Sequence, residues 1–258
     1  MTTDRMRIGI AGINGRVGRL LREEVTAAGA QLAGGTSRDP NADPAQGLFA
    51  TLAELAPLSD VVIDFTHAVT VRAHAAALAK AGVAWVLGTT GLSDAEQDAV
   101  ATAARTIPVV QAANYSPGVT LVTRLARQMA EVLPSTVYDA EILEMHHRQK
   151  VDAPSGTALA IGQAVADGRG IDLSTHMESG RTGHTGPRQA DAIGFAVLRG
   201  GQIVGEHTLL FTSATEQIAL THRAFDRRVF ATGAVRAALW LRGRAPGLYS
   251  MEDVLGLH

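Results

Sequence analysis

The chain has 258 residues, of which 46% are hydrophobic and 19% charged, a composition typical of a folded soluble protein with one large or two smaller domains. Its net charge of −2 and its 4% aromatic content argue against nucleic acid or an anionic membrane as a partner. The absence of cysteine excludes disulfides, thiolate catalysis and thiolate metal sites. No signal peptide and no apolar run of about 18 residues is recognisable, so we expect a cytoplasmic protein without a membrane span.

A glycine-rich turn follows the first predicted strand. Residues 6–13 form a nearly continuous apolar run, which is typical of a strand buried in a parallel sheet. The run leads into Gly12-Ile13-Asn14-Gly15-Arg16-Val17-Gly18, and a helix is predicted from there to Gly29. Strand, glycine turn and helix in this order are the setting of a dinucleotide-binding fingerprint. The spacing is G-x-x-G-x-x-G rather than G-x-G-x-x-G, so the pattern alone leaves a plain glycine turn as the alternative.

The second predicted strand, residues 31–36, ends at Ser37-Arg38. A dinucleotide-binding domain usually places an acidic residue here to hold the adenosine ribose. Ser37 has no carboxylate, whereas Arg38 could pair with a 2′-phosphate. We therefore predict that NADPH is the preferred cofactor, with NADH as a possible second one. A solvated surface arginine is the alternative interpretation of Arg38.

Strands and helices continue to alternate up to residue 116. Further strands are predicted at residues 61–65, 83–87 and 107–112, with helices between them. Two polar turns follow these strands, Gly88-Thr89-Thr90-Gly91 and Ala113-Asn114-Tyr115-Ser116, at the strand ends where open α/β sheets bind ligands. The alternation predicts an α/β domain over residues 1–116, with a Rossmann-like, doubly wound parallel sheet that binds a dinucleotide.

The pattern changes after Pro117. A helix is predicted at residues 119–133, a strand at 138–147, and three strand-like runs at 192–199, 202–211 and 217–224, with Gly200-Gly201 as a hairpin signal. We expect a second α+β domain over residues 117–225, with a mainly antiparallel sheet, for substrate binding and oligomerisation. The carboxyl-terminal segment, residues 226–258, contains an apolar helix and is expected to pack back on the first domain.

Residues 141–158 (EILEMHHRQKVDAPSGTA) contain a denser group of potential proton-transfer and anion-binding residues than any other stretch. His146, His147, Arg148 and Lys150 place four potential proton donors within five positions. Ser155 is a natural N-cap for the helix predicted to follow. The first turn of a helix attracts a carboxylate or phosphate through its free N–H groups. Proton donors and an anion site are therefore expected side by side.

The structural alternative for this cluster is a salt bridge with Asp152 or Glu144. A metal site is not predicted, because His146 and His147 are adjacent rather than four residues apart and no further residue completes a ligand set.

The same stretch carries a resemblance to a known family. Its residues Glu141-Ile142, Glu144, His146-His147, Lys150 and Asp152 to Ala158 are similar, almost position for position, to the signature of the dihydrodipicolinate reductase (4-hydroxy-tetrahydrodipicolinate reductase) family. The segments Gly12 to Gly18, Gly88-Thr89-Thr90, Ala113 to Ser116, Gly183-His184-Thr185-Gly186 and Gly205-Glu206-His207-Thr208 also stand where the family's matching segments would fall. The resemblance covers essentially the whole chain.

The resemblance implies a nicotinamide-dependent reduction of a cyclic unsaturated dicarboxylate to tetrahydrodipicolinate, on the diaminopimelate route to lysine. It implies that His146 is an acid/base residue, that Lys150 is the proton donor, and that His147, Ser155, Gly156 and Thr157 bind the substrate. It places the cofactor on Gly12 to Val17, on Gly88-Thr89-Thr90 and on Ala112-Ala113-Asn114-Tyr115, and it implies a homotetramer joined through the second sheet.

Two positions depart from the family pattern. Ser37 stands where relatives often have an acid, which supports the NADPH prediction, and Gln149 stands where a further histidine is common. We assign Gln149 no catalytic role. Two other functions stay open on the sequence alone: another two-domain nicotinamide oxidoreductase, and a non-catalytic protein that senses NADPH.

Overall fold

The computed structural model describes residues 5–39 and 41–257. In chain order, its strands are β1 (Arg7–Ala11), β2 (Gln31–Thr36), β3 (Leu48–Phe49), β4 (Val61–Asp64), β5 (Ala84–Leu87), β6 (Pro108–Gln111), β7 (Asp139–His146), β8 (Met177–Ser179), β9 (Ile193–Arg199), β10 (Gly205–Thr212), β11 (Gln217–Ala224) and β12 (Gly247–Tyr249). Its α-helices are α1 (Arg16–Ala27), α2 (Leu52–Leu55), α3 (Val71–Ala81), α4 (Asp94–Ala103), α5 (Pro117–Val132), α6 (Gly156–Arg169), α7 (Leu173–His176), α8 (Arg228–Trp240) and α9 (Met251–Leu255). Two compact units result: the chain through Pro117 together with the segment from Arg228, and Gly118–Arg227.

The first unit contains a parallel sheet in the order β12-β6-β5-β4-β1-β2-β3. From β1 the chain first adds β2 and β3 on one side and then returns to place β4 on the other side. This reversal is the topological switch point, and ligands of such sheets bind at the carboxyl ends of the strands there. The predicted Rossmann-like, doubly wound sheet is confirmed.

Both faces of this sheet are buried. Successive side chains of a strand point to opposite faces, and the alternate residues Val61 and Ile63 of β4 pack in a cluster with residues of α1 and α8, while Val62 packs in another with residues of α3 and α4. All three side chains are completely inaccessible to solvent. Burial of each contributes about 1.5–3 kcal/mol, which explains why the first three residues of this strand are apolar.

The second unit contains a mixed sheet in the order β11-β10-β7-β9-β8. The pairings of β10 with β7 and β11 are antiparallel, and those of β9 with β7 and β8 are parallel. The predicted α+β character of the unit is confirmed, and its sheet is mixed, with the antiparallel pairings involving more residues than the parallel ones. Every second residue of β7 from Ala140 to His146 is buried, and the residues between are half-buried.

The hairpin predicted at Gly200-Gly201 is wrong. β9 and β10 are consecutive in the chain but lie on opposite sides of β7, so they do not pair with each other. The glycine pair instead crosses the end of β7: the N–H of Gly200 donates to the carbonyl of His146 at 2.9 Å, and the N–H of Arg148 donates to that of Gly201 at 3.3 Å. A local turn signal cannot reveal that an earlier strand is inserted between its two flanking strands.

In the ranges 5–39 and 41–257, none of the helices combines the length and the apolar character that crossing a bilayer requires.

Candidate active site

Strand alternation brings the first two groups of the site together. Glu144 and His146 are two residues apart on β7, so both point to the same face of the sheet. That face is the buried one, and the two residues are 1% and 8% exposed. Ser155 lies on the same side, because its backbone N–H donates to Glu144 Oε1 at 3.0 Å. The strand end and the start of α6 are thus joined through one carboxylate.

The Glu144 carboxylate is saturated with donors. Arg199 donates to both oxygens, Nη1 to Oε2 and Nη2 to Oε1, each at 2.9 Å. His146 Nδ1 lies 2.5 Å from Oε2. Burial works to raise the pKa of Glu144, but the hydrogen bonds from Arg199, His146 and Ser155 outweigh it and hold the pKa below its ordinary value. Because the carboxylate is ionised and can only accept, His146 must carry its hydrogen on Nδ1.

The other ring nitrogen of His146 is therefore a basic lone pair. Burial lowers the pKa of His146, and the charges of Lys150 and Arg199 lower it further, while Glu144 acts in the opposite direction. The imidazole is accordingly neutral at pH 7. A Cβ on Gly205 would lie 3.1 Å from His146 Nε2, so the glycine keeps a side chain from crowding this nitrogen. This geometry suits a group that receives and returns a proton.

Lys150 lies in the loop that follows β7. Its Nζ is 2.9 Å from Asp152 Oδ1, and the hydrogen bond from Lys150 lowers the pKa of Asp152. Asp152 is the more exposed of the two, with 54% of its side chain accessible against 20% for Lys150. An ion pair this open to water is weak, so a carboxylate ligand could draw the ammonium away from Asp152.

The start of α6 is built to receive an anion. Ser155 is its N-cap, and the Ser155 hydroxyl accepts from the N–H of Ala158 at 3.1 Å. The helix begins at Gly156, which has no side chain, and a Cβ there would meet no described atom beyond the local backbone within 4 Å. Gly156 is exposed and Thr157 is half-buried beside it. Open space in front of the first turn allows an anion to approach the backbone N–H groups.

His207 supports this helix start from the neighbouring strand β10. Its Nε2 is 2.9 Å from Ser155 Oγ, and its ring packs edge-on against His146 with 5.1 Å between the ring centroids. Burial, followed by the charge of His146, lowers the pKa of His207 to about 4. Its Nδ1 is buried and has no hydrogen-bond partner in the described chain, as is also true of His147 Nδ1.

The structure thus assembles His146, Lys150, Ser155, Gly156 and Thr157 within one unit. His147 lies just beyond the end of β7 and is half-buried. Two further residues of the cluster, Arg199 and His207, are not assigned from the sequence. Both come from strands more than fifty residues away, and only the pairing of β7 with β9 and β10 brings them to the site.

The predicted cofactor residues all lie in the first unit, at the carboxyl ends of its parallel strands. Gly12 has a φ of +72°, which favours glycine, and its N–H donates to Thr36 Oγ1 at 2.9 Å. Ile13 is buried, while Asn14, Gly15 and Arg16 are exposed and Val17 is half-buried. A Cβ on Gly18 would lie 2.3 Å from the carbonyl oxygen of Gly12, so the turn packs directly on its helix.

The start of α1 fits a pyrophosphate. Gly15 is the N-cap and provides no side-chain hydrogen bond, and the first turn carries no acidic residue. Its backbone N–H groups therefore have no side-chain acceptor competing for them. The Arg38 side chain is exposed and forms no ion pair with the residues the structure describes. Ser37 Oγ accepts from Asn14 Nδ2 at 3.1 Å.

The two polar turns complete this edge of the sheet. Thr89 is buried, and its Oγ1 has no hydrogen-bond partner within residues 5–39 and 41–257, whereas Thr90 is exposed. Gly88 leaves room for the Phe65 ring, 2.4 Å from where a Cβ would lie. Tyr115 is 1% exposed, and its hydroxyl reaches the carbonyl oxygens of Leu87 and Val110 at 2.8 and 3.0 Å. Tyr115 anchors its turn, so a cofactor would meet the backbone there rather than the phenol.

Together, a Rossmann-like unit with an uncapped glycine turn and a second unit with proton-transfer groups beside an anion-binding helix start define a nicotinamide-dependent oxidoreductase. Residues 6–115 match the family model described as "Dihydrodipicolinate reductase, N-terminus", and residues 118–255 match "Dihydrodipicolinate reductase, C-terminus". The chain belongs to the dihydrodipicolinate reductase family, and the expected 4-hydroxy-tetrahydrodipicolinate reductase activity, with NAD(P)H as reductant, is confirmed.

Individual relatives agree with this assignment. The chain is 81% identical over 257 residues to the 4-hydroxy-tetrahydrodipicolinate reductase of Gluconacetobacter diazotrophicus, with 100% of both chains covered. It is 62% identical over 261 residues to the enzyme of the same name from Granulibacter bethesdensis, again with 100% of both covered. The dipicolinate-bound dihydrodipicolinate reductase from Paenisporosarcina sp. TG-14 shares the fold, with a TM-score of 0.78, 24% identity and 96% and 98% of the two chains covered.

Proposed function

We propose that the second unit binds the cyclic dicarboxylate substrate and manages the protons of its reduction, and that NADPH is the preferred reductant. The observation that carries this proposal is that one carboxylate, Glu144, contacts two groups. It holds the neutral His146, whose lone pair is on Nε2, and it accepts the N–H of Ser155 at the open start of α6. The names of the relatives and the dipicolinate held by the structural neighbour support a substrate of this class.

One substrate carboxylate binds at the start of α6. The backbone N–H groups of Gly156 and Thr157 and the Ser155 hydroxyl face it, and the helix dipole favours its negative charge. His147 supplies a further donor, since its Nδ1 is buried without a hydrogen-bond partner among the described residues. A dicarboxylate would satisfy these groups and would also attract the ammonium of Lys150 away from Asp152.

Lys150 and His146 divide the proton chemistry. The reduced nicotinamide, when bound, supplies the hydride, and its addition to the conjugated ring leaves negative charge on the substrate. The Lys150 ammonium stabilises this charge and then donates a proton to the ring carbon that carries it. His146 Nε2 takes up a proton from solvent, with Glu144 stabilising the imidazolium that forms, and then donates it to the Lys150 amine, which restores the ammonium.

NADPH would be held through the first unit. Gly12, Ile13, Asn14, Gly15, Arg16 and Val17 would surround the pyrophosphate, and Gly88, Thr89, Thr90, Ala112, Ala113, Asn114 and Tyr115 would line the rest of the cofactor. Arg38 is the proposed partner of the 2′-phosphate. Its side chain is exposed, and Ser37 stands where a dinucleotide-binding domain usually has an acidic residue.

The active protein is proposed to be a cytoplasmic homotetramer joined through the open face of the second sheet. Leu143 and Met145 are half-buried on the face of β7 opposite Glu144, and Leu198, beside Met145 on β9, is 51% exposed. Accessible apolar side chains grouped in this way are suited to association. Sedimentation of Leu198→Glu should show a smaller species, with Val132→Glu on α5 as the control; an unchanged tetramer in Leu198→Glu would reject this interface.

Titration of pyridine-2,6-dicarboxylate, a flat substrate analogue, into the NADPH-loaded protein tests the substrate site. We expect saturable binding that weakens at least tenfold in Gly156→Ala, because a methyl group would occupy the space in front of the helix start. Saturable binding that is the same in both proteins would place the dicarboxylate elsewhere, and the absence of binding would reject the substrate class.

A further inference from the structure

Arg199 is hydrogen-bonded to several groups of the cluster. It ends β9 opposite His146 in the parallel register of β7 and β9, and its side chain is 21% exposed. Its two terminal nitrogens donate to the two oxygens of Glu144, each at 2.9 Å. The remaining hydrogens of those nitrogens reach the carbonyl oxygens of Asp152 and Leu198, each at 2.7 Å.

We infer that Arg199 is a positioning residue that keeps His146 in its basic form and holds the loop carrying Lys150 against the start of α6. The inference rests on the proposed function, in which His146 is the base and the start of α6 binds a substrate carboxylate. Without the guanidinium, Glu144 would be a carboxylate that is 1% exposed, and among the described residues only the His146 imidazole would remain as a paired side chain able to take up a positive charge.

The first consequence concerns the protonation of His146. A buried carboxylate without a counter-charge draws a proton onto the nearest acceptor, and the nearest is the imidazole 2.5 Å away. Four charged or titratable groups face this ring: Glu144 on the same strand, Lys150 in the loop after it, Arg199 on β9 and His207 on β10. Loss of the Arg199 charge removes a repulsion and leaves the attraction of Glu144 unbalanced, so the His146 pKa must rise.

The second consequence concerns the loop between β7 and α6. The hydrogen bond from Arg199 to the carbonyl oxygen of Asp152 holds the residue that pairs with Lys150. The same guanidinium aligns Glu144, which holds the N–H of Ser155 at 3.0 Å. The planar guanidinium of Arg199, with its fork of two terminal nitrogens, therefore positions both the Lys150 ammonium and the start of α6. A lysine, with a single nitrogen, cannot reproduce these contacts.

Two variants separate these effects. Arg199→Met removes the charge and keeps much of the length, and Arg199→Lys keeps the charge but loses the fork. Arg127→Met is the control, because Arg127 also pairs with a glutamate of the second unit, Glu131 at 3.4 Å, but both side chains are 51% exposed. Binding of NADPH to each variant reports whether the first unit is intact.

The measurements are the pKa and tautomer of His146, from long-range nitrogen–proton NMR, and the affinity for pyridine-2,6-dicarboxylate. In Arg199→Met we expect the His146 pKa to rise by about one unit or more and dicarboxylate affinity to fall about tenfold or more. In Arg199→Lys the pKa should stay near that of the unmodified protein while the affinity still falls; Arg127→Met should change neither.

An unchanged His146 pKa in Arg199→Met, or unchanged dicarboxylate affinity in Arg199→Lys, would overturn the inference. If Arg199→Met does not fold, the Arg199→Lys result decides alone, because wild-type affinity in that variant excludes a role for the fork. The NMR measurement does not depend on turnover. An NMR shift as expected, combined with full activity of His146→Gln, would therefore reject the proposed catalytic role of His146 and leave the Arg199 inference standing.

Discussion

Glu144 Oε2 lies 2.5 Å from His146 Nδ1, and the opposite oxygen of the same carboxylate accepts the N–H of Ser155 at 3.0 Å. One buried acid therefore orients both the proposed base and the proposed carboxylate site. The relationship arises from strand alternation, which places residues 144 and 146 on one face, and from a connection short enough to bring residue 155 back to it.

Replacement of Glu144 by glutamine tests this relationship. An amide can donate as well as accept, so His146 would lose its fixed tautomer and the base would lose its counter-charge. We expect kcat/KM to fall by about 10²–10⁴-fold, with NADPH binding unchanged. Steady-state kinetics check this, with Glu131→Gln on the exposed face of α5 as the control. A loss of less than threefold would show that Glu144 does not orient the base.

The stability of the second unit should depend on pH through His207. Its folded-state pKa of about 4 lies below the ordinary value of 6.5, so only the unfolded chain takes up a proton between these values. The associated stability is fully present above pH 6.5 and is lost as the pH falls towards 4, up to about 3 kcal/mol. Urea unfolding at pH 7 and pH 5 should show the loss, and His207→Gln should show a smaller one. If His207→Gln loses as much stability between pH 7 and pH 5 as the unmodified protein does, the pH dependence does not come from His207.

A methyl group at Gly156 should disturb binding without disturbing the fold. Apart from the glycine, its chain neighbours and the backbone of its own helix, no atom of the described residues lies within 4 Å of the position that such a Cβ would take, and alanine is the better helix former. We expect the KM for the dicarboxylate to rise about tenfold or more at unchanged thermal stability. Ala160→Ser, exposed on the same helix, is the control. A normal KM would mean that the carboxylate does not approach the first turn of α6.

The preference for NADPH over NADH should depend on Arg38. We expect the unmodified protein to use NADPH with a higher kcat/KM than NADH, and Arg38→Gln to reduce that ratio about tenfold or more by removing a charge-assisted pair. The specificity constants of both cofactors decide this. Arg72→Gln, an exposed arginine of the first unit, serves as the control. Equal use of both cofactors before mutation would contradict the prediction.

Much of the first unit could be predicted from the sequence, because β1, β4, β5 and β6 are local runs of mainly apolar residues that end in turns. The glycine turn, Thr89 and Tyr115 accordingly lie at strand ends as expected. The order of strands in the second sheet could not be predicted in this way. The Gly200-Gly201 signal correctly marks a reversal of the chain, but the partner of both flanking strands is β7, which is more than fifty residues away.

The candidate site is predictable only where it is local. His146, Lys150 and Ser155 lie within ten positions, so the sequence alone groups them. Arg199 and His207 reach the same cluster through contacts that span 55 and 52 residues. The sequence indicates Glu144 only as a possible salt partner, because the alternation that buries it beside His146 depends on which face of β7 the helices cover.

The most direct test of the account is NADPH oxidation with freshly formed product of dihydrodipicolinate synthase, measured for the unmodified protein and for Lys150→Ala. The unmodified protein should oxidise NADPH and form tetrahydrodipicolinate. Lys150→Ala should lose about 10²–10⁴-fold in turnover while its affinity for NADPH stays unchanged. Near-normal turnover of Lys150→Ala would remove Lys150 from the mechanism and contradict the account.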